Sequence, residues 1–138
     1  MNYTLDLGKM KKGYIRGSRI IDANDWYFKA HFFQDPVQPG SLGVEAILQL
    51  LQAYVLLNKQ YKQFKQPVFE VVALQQEIEW HYRGQVVPKD TLIYLDADIT
   101  DEKVDAEDRY VISATGRLWV NDIKIYQAPK LSIRVIEK

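Results

Sequence analysis

The sequence predicts an α+β fold in which one long helix is wrapped by a strongly curved antiparallel sheet of about five to seven strands. Two features carry this prediction. Residues 41–59 are rich in strong helix formers, whereas most of the remaining chain is rich in β-branched and aromatic residues at strand-like spacing. The chain has 138 residues, which suits one ordinary domain, so we expect a single domain over residues 1–138.

The predicted helix begins after the Pro39-Gly40 turn and runs from Ser41 to about Lys59. Its apolar residues point in nearly every direction, which is typical of a helix enclosed by the fold rather than laid on its surface. Three polar residues at helical spacing form one narrow stripe: Glu45, Gln49 and Gln52. Such a stripe in an apolar helix indicates a lined cavity or a hydrogen-bonded interface.

Alternating apolar and polar residues predict the strands. A long half-buried strand is expected from Val72 to Tyr82, with His81 on its polar face. The same alternation marks three further strands, at residues 92–99, 110–120 and 123–135. Asn121-Asp122 fits the two-residue turn of a hairpin between the last two strands. Residues 58–67 and 100–108 are polar or charged and are expected to form solvated connections.

Composition excludes several classes of function. Lys plus Arg and Asp plus Glu both total 18, so no net charge attracts nucleic acid, and a nucleic-acid partner is not expected. The chain has no cysteine, which excludes a thiolate nucleophile and fits a reducing compartment. The start of the sequence lacks the apolar stretch of a secretory signal, which predicts a cytoplasmic location. The apolar segment Leu42–Leu57 is shorter than the roughly 20 residues that cross a bilayer, so no membrane insertion is expected.

Glu45 and His31 are the candidate catalytic residues. Burying an unpaired carboxylate costs several kcal/mol, so either the positive end of the helix dipole favours Glu45 or Glu45 serves a cavity. His31 lies among aromatic residues and has either a structural or a catalytic role, since histidine exchanges protons near neutral pH. Pro36 and Pro39 stiffen the backbone between His31 and the helix, as the positioning of a base would require.

The start of the helix offers backbone amides. Gly40, Ser41 and Leu42 are expected to present N–H groups without an intrahelical acceptor, where an oxyanion can bind. Alternatively, Ser41 simply caps the helix, although the usual capping-box partner three positions later is absent. His81 is expected at the surface, and two distant histidines without a paired carboxylate at ligand spacing predict no metal site.

The segment from His31 to Gln52, HFFQDPVQPGSLGVEAILQLLQ, resembles the motif of the hot-dog fold β-hydroxyacyl-acyl-carrier-protein dehydratases. It is most similar to the branch that contains the dehydratase-isomerases and the dehydratase domains of polyunsaturated fatty acid and polyketide synthases. The stretch HYRGQVVP, residues 81–88, resembles the strand that follows the central helix in this family. The resemblance spans about residues 13–120 and implies a hot-dog fold, which agrees with the layout predicted above.

The resemblance implies a role for each residue of the motif. His31 would be the base that takes a proton from C2 of a 3-hydroxyacyl thioester. Glu45, held dry by apolar residues, would be the acid that protonates the departing C3 hydroxyl. The Gly40 amide would polarise the thioester carbonyl, with Ser41 beside it in oxyanion or substrate binding. Val37 would hold the histidine through its backbone carbonyl. Gln49 would help to order the acid.

The resemblance also implies partners. The substrate would be carried on the phosphopantetheine of an acyl carrier protein, in fatty acid or polyketide biosynthesis, and no cofactor would be needed. Each site would take its histidine from one subunit and its acid from another, in a homodimer or in a pair with a second hot-dog domain. Four basic residues form either a docking patch for the carrier or a solvated surface: Lys59, Lys62, Lys65 and Arg83.

The motif departs from the dehydratase-isomerases at two positions of the helix start. Those enzymes usually carry Asp and Cys where this chain has Glu45 and Ser41, whereas simple dehydratases use Glu, which counts against isomerase activity. Gln38 stands where the family usually has Met and implies a different pocket wall. Two alternative functions remain: a non-catalytic hot-dog domain with a structural or acyl-binding role in a synthase complex, and a hot-dog thioesterase.

Overall fold

The computed structural model describes residues 2–6, 8, 11–70 and 73–138, with the backbone alone for residues 2–6. These residues form two α-helices and seven strands, with a 3₁₀ turn at Gln60–Gln63. In chain order the elements are β1 Asn2–Asp6, β2 Tyr14–Ile20, α1 Trp26–Ala30, α2 Gly40–Leu57, β3 Pro67–Phe69, β4 Glu79–Tyr82, β5 Leu92–Val104, β6 Tyr110–Val120 and β7 Ile123–Glu137.

The strands form one antiparallel sheet in the order β1-β2-β5-β6-β7-β3, and β4 also pairs with β7. This confirms the predicted α+β class and strand number. The hairpin between β6 and β7 closes at the Val120–Ile123 pair. Asn121 and Asp122 have φ of 46° and 70°, which is the left-handed backbone that a two-residue hairpin turn requires. The predicted turn is therefore confirmed.

The core lies between α2 and one face of the curled sheet. Ile47, Leu51 and Val55 of α2 are fully buried, and each such side chain contributes about 1.5–3 kcal/mol when removed from water. Gly116 of β6 lies directly opposite, where an added Cβ would collide with the side chain of Ile47. The absence of a side chain at Gly116 therefore lets the helix approach the sheet closely.

The predicted helix is confirmed, but its enclosure is wrong for a single chain. Glu45 and Gln49 are exposed, and Leu56 and Leu57 are 51% and 48% exposed. The reason is that the sheet covers one side of α2 and leaves the other side open. By length and mean hydropathy of 1.4 the helix could cross a membrane, but 44% of it is already buried inside the domain, as in a core helix.

The strand predicted from Val72 to Tyr82 is shorter than expected, because among the described residues 73–82 only Glu79–Tyr82 forms a strand. Val72 lies outside the described residues. The Gln76 N–H donates to the Ala73 carbonyl at 3.2 Å, and Gln75 has φ of 62°. The chain therefore turns where its alternating pattern predicts extension.

Strand β5 is longer than expected. It continues through Val104, into the segment expected to be a solvated loop, with a bulge between Ile99 and Asp101. The far half of this strand pairs with residues 110–113 of β6. A polar sequence at an exposed strand end is compatible with pairing because its side chains point into water.

Candidate active site

His31 follows α1, whose buried residues Tyr27 and Phe28 fix the short helix against the core. The His31 backbone N–H donates to the Tyr27 carbonyl at 3.0 Å. In the side chain, Nδ1 lies 3.2 Å from the Val37 carbonyl oxygen. A carbonyl oxygen only accepts, so Nδ1 carries the proton and donates it. This leaves Nε2 with a lone pair that is able to take a proton.

The loop between His31 and α2 is fixed by buried contacts. Val37 is 3% exposed, and the Gln38 N–H donates to the Val86 carbonyl at 2.9 Å. The Tyr126 hydroxyl of β7 donates to the Gly40 carbonyl at 3.2 Å. Burial raises the pKa of Tyr126 to about 12, so the hydroxyl remains a donor at neutral pH. Sequence analysis missed Val86 and Tyr126, because both lie far along the chain and no local pattern separates them from ordinary core residues.

The first turn of α2 presents free amides, although fewer than predicted. The helix is capped by Pro39 without a side-chain hydrogen bond, so Ser41 is not the cap. The Leu42 N–H donates to the Pro39 carbonyl at 3.0 Å and is therefore not free. The Gly40 and Ser41 amides have no acceptor within the part of the chain that is described. They carry the positive end of the helix dipole and can bind an oxygen that gains negative charge.

Glu45 and Gln49 lie one turn apart on the exposed side of α2. The Gln49 side-chain amide donates to Glu45 Oε1 at 3.0 Å. Because Oε1 accepts this bond, a proton on the carboxyl group belongs on the other oxygen. The expectation that apolar residues keep Glu45 dry is wrong for the single chain, since nothing in the described part of this chain covers that side of α2.

A cavity of about 260 Å³ lies beside Glu45, between α1, α2 and the sheet. Its floor is apolar and consists of Leu42, Ala46, Ile93, Leu95 and Leu118. Its polar lining includes Arg19, Gln38, Glu45 and Gln49. His31 is not among the described residues that line it, so this cavity holds one of the two candidate catalytic residues.

Two larger cavities, of about 670 and 610 Å³, lie elsewhere on the domain. Neither is lined by His31, Gly40 or Glu45 in the described part of the chain. The cavity beside Glu45 is therefore the better candidate site despite its smaller size, because it joins an apolar floor to a carboxyl group at the helix start.

An ion pair that sequence analysis missed lies beside the 260 Å³ cavity, whose lining includes one of its partners, Arg19. Arg19, at the end of β2, pairs with Asp25, and the Tyr27 hydroxyl donates to the same carboxylate at 2.7 Å. Burial and this hydrogen bond raise the pKa of Tyr27 to about 12. The network ties α1 to β2, and α1 in turn positions His31.

The second histidine, His81, is exposed on β4 and lies 3.0 Å from Glu79, as its predicted surface position requires. Within residues 2–6, 8, 11–70 and 73–138, no three His, Asp or Glu side chains come together as metal ligands would.

Comparison with known proteins identifies the family. Residues 1–129 match the model of the FabA-like domain. The chain is 33% identical over 129 residues to a polyunsaturated fatty acid synthase subunit of Thraustochytrium sp., a match that covers 93% of this chain but only 8% of that protein. It is also 32% identical over 114 residues to the 3-hydroxyacyl-(acyl-carrier-protein) dehydratase FabZ of Fusobacterium nucleatum, covering 83% of this chain and 71% of that enzyme.

Solved structures support the fold. A probable thioesterase from Bartonella henselae superposes with a TM-score of 0.62 at 11% identity, over 91% of this chain and 93% of that chain. A hot-dog-like protein from Thermanaerovibrio acidaminovorans superposes with a TM-score of 0.55 at 16% identity, over 91% and 82% of the two chains. Identities this low show the fold alone. Together with the family match, they establish that this chain belongs to the FabA-like family of hot-dog dehydratases.

Proposed function

We propose that this domain dehydrates a 3-hydroxyacyl thioester, carried on the phosphopantetheine of an acyl carrier protein, to the trans-2-enoyl thioester in fatty acid or polyketide biosynthesis. The observation that carries the proposal is the 3.2 Å contact between His31 Nδ1 and the Val37 carbonyl. It fixes the tautomer in which Nε2 is a base. The similarity to a protein named as a 3-hydroxyacyl-(acyl-carrier-protein) dehydratase supports the same substrate class.

The reaction needs one base, one acid and one oxyanion site. His31 Nε2 takes a proton from C2, and the electrons of that C–H bond form the C2–C3 double bond as the C3–O bond breaks. The leaving oxygen takes a proton from Glu45 and departs as water. The Gly40 amide, at the positive end of α2, stabilises the charge that develops on the thioester oxygen. The proton on His31 returns to Glu45 through solvent, and no group is oxidised or reduced, so the step requires no cofactor.

A second copy of this domain supplies the missing half of each site in this proposal. Strand β4 lies at the sheet edge with β7 as its partner in the described chain. Trp80 and Tyr82 of this strand are 42% and 59% exposed, and Phe33 in the His31 loop is 91% exposed. An open edge with exposed apolar side chains favours the addition of another strand. The second copy would cover Glu45 and bring its own histidine to it; a second hot-dog domain in a longer chain would serve equally.

The first experiment measures the formation of the conjugated enone by absorbance, with 3-hydroxyacyl carrier protein as substrate. We expect His31→Ala and Glu45→Gln to lower kcat by about 10²- to 10⁴-fold, the usual contribution of general acid–base groups. His81→Ala, at the exposed histidine, is the matched control and should leave kcat unchanged. An active His31→Ala variant would contradict the proposal. Release of free thiol instead of enone would indicate a thioesterase, and carrier binding without turnover would indicate a non-catalytic acyl-binding domain.

The second experiment tests whether the site is shared. His31→Ala and Glu45→Gln chains are mixed under conditions that exchange subunits. In a symmetric dimer with shared sites, each mixed dimer has one intact site, so the mixture should recover about a quarter of wild-type activity. Failure to recover activity, although subunit exchange is verified by mass, would place both residues in one chain.

The carrier-docking surface is tested separately. Lys59, Lys62, Lys65 and Arg83 are all exposed, as both a docking patch and a solvated surface require. Charge reversal at the three lysines should raise KM for the carrier-bound substrate and remove its salt dependence, while KM for a pantetheine thioester stays unchanged. An unchanged KM for the carrier-bound substrate would identify a solvated surface.

A further inference from the structure

The 260 Å³ cavity beside Glu45 is lined by a buried residue, Gln38, whose side-chain amide has no partner in the described part of the chain. Gln38 is 8% exposed, and its backbone N–H is bonded to the Val86 carbonyl at 2.9 Å. The residue lines the cavity. Its side-chain amide has no hydrogen-bond partner within the described residues and keeps some contact with solvent. An amide side chain has two N–H donors and one oxygen acceptor, so Gln38 offers unused hydrogen-bonding capacity to whatever occupies the cavity.

Three other polar groups of the cavity lining each have a partner. Gln49 donates to Glu45 at 3.0 Å, Arg19 is paired with Asp25, and the Tyr27 hydroxyl donates to Asp25 at 2.7 Å. Tyr27 and Gln38 are the buried lining residues with polar side-chain atoms, and of these two Gln38 is the one without a side-chain partner in the described part of the chain. The same lining includes the apolar residues Leu95 and Leu118. In solution, water that enters the cavity can satisfy this amide.

A bound acyl chain would displace that water. A purely hydrocarbon chain beyond C3 would leave the Gln38 amide buried without a partner, which is unfavourable, whereas a chain with an oxygen substituent would restore the lost bond. A site that hydrogen-bonds a substrate group discriminates strongly against the analogue that lacks it. The side chain at position 38 thus has the means to select among acyl chains.

We propose that Gln38 is a specificity-determining residue, and that the preferred substrate carries a hydroxyl or keto oxygen on its acyl chain beyond C3. This inference rests on the proposed function, because it takes the cavity beside Glu45 to hold the acyl chain. The amide donates to a keto oxygen, and it donates to or accepts from a hydroxyl. The apolar floor holds the hydrocarbon part of the same chain.

The test is a binding measurement that needs no turnover. Isothermal titration calorimetry gives Kd for amide-linked pantetheine analogues of equal chain length that carry 3-hydroxyacyl, 3,5-dihydroxyacyl and 3,7-dihydroxyacyl groups. We expect the wild-type protein to prefer at least one dihydroxyacyl ligand over the 3-hydroxyacyl ligand by about tenfold or more. Gln38→Met, which keeps the length of the side chain and removes both hydrogen-bonding groups, should abolish this preference and leave the Kd of the 3-hydroxyacyl ligand unchanged or lower.

Gln85→Met is the matched control, because Gln85 is exposed and the same substitution there should keep the wild-type preference. Equal affinity of the wild-type protein for all three ligands, or the same preference in wild type and Gln38→Met, would overturn the inference. The enone assay separates this result from the proposed function. A protein that forms enone without the binding preference retains the function and loses the role of Gln38. A protein with the preference but no enone retains the role of Gln38 and loses the dehydratase assignment.

Discussion

Replacing Tyr126 by Phe tests how the start of α2 is held in place. Tyr126 is 3% exposed, and its hydroxyl donates to the Gly40 carbonyl at 3.2 Å. Phe keeps the ring and removes this one hydrogen bond, whose net contribution to stability is about 0.5–1.5 kcal/mol. At pH 8 we therefore expect Tyr126→Phe to have a free energy of unfolding lower than that of the wild type by about 1 kcal/mol.

The stability advantage of the wild type over Tyr126→Phe should vanish or reverse at alkaline pH. Burial raises the pKa of Tyr126 from 10.0 to about 12 in the folded protein. Below pH 10 both states keep the proton and no pH dependence arises. Between pH 10 and 12 the unfolded tyrosine loses its proton while the folded one retains it, so the wild-type stability falls as pH rises. At pH 11 this loss is about 1.4 kcal/mol. The Tyr126→Phe variant has no phenol to ionise at this position, so it should equal or exceed the wild type in stability at pH 11.

Urea unfolding at pH 8 and pH 11, at one fixed protein concentration, measures the two differences. Other buried tyrosines such as Tyr27 contribute equally to both proteins and cancel. Tyr94→Phe is the control, because Tyr94 lies on the opposite face of the sheet and is half-buried. Between pH 8 and pH 11 this variant should lose as much stability as the wild type does. If wild type and Tyr126→Phe lose the same stability between the two pH values, the buried position assigned to this hydroxyl is wrong.

Three further predictions concern the packing, the sheet surface and the site. Gly116→Ala should lower the free energy of unfolding by about 1–3 kcal/mol, because the new Cβ meets the Ile47 side chain; an unchanged melting temperature in calorimetry would contradict this close approach. Arg117→Met removes bonds of 2.5 and 2.6 Å to Asp96 and Asp98 and should cost about 3–5 kcal/mol at pH 7. Urea unfolding measures this cost, and a cost below about 1 kcal/mol, the range of an exposed ion pair, would argue against a buried charge network. Gln49→Leu should lower kcat about tenfold with little change in KM, and Gln52→Leu, one turn further along the helix, serves as the control that should leave kcat intact.

The fold was predictable where local pattern and tertiary contacts agree. The helix, the strands β6 and β7 and the turn between them follow from residue type and alternation. The prediction of a strand from Val72 failed because Gln75 adopts φ of 62°. A pattern of alternating residue types does not show that one of its residues has a left-handed backbone. The far half of β5 was missed since its charged residues are exposed and look like a loop.

Two contacts of the candidate site could be predicted, those of His31 with Val37 and of Glu45 with Gln49, because each spans no more than six residues along the chain. The distant supports of the site could not be predicted, because Tyr126 contacts the loop over a separation of 86 residues. The expected burial of Glu45 failed because the apolar residues of α2 face both the sheet and the open side, and sequence alone does not say what covers the second side. The single-domain boundaries, the cytoplasmic location and the catalytic roles stay predictions.

The short connections within the β5–β6–β7 meander also bear on the order in which the chain folds. Residues 105–109 and 121–122 close the two hairpins, and closing short loops costs little chain entropy. Strand β2, in contrast, pairs with β5 across roughly 70 residues of sequence or more, which is slow to achieve. We therefore expect the three-strand meander to form first and to serve as the surface on which α2 docks. The loop of His31 and Gly40 would then be among the last parts to acquire its native geometry.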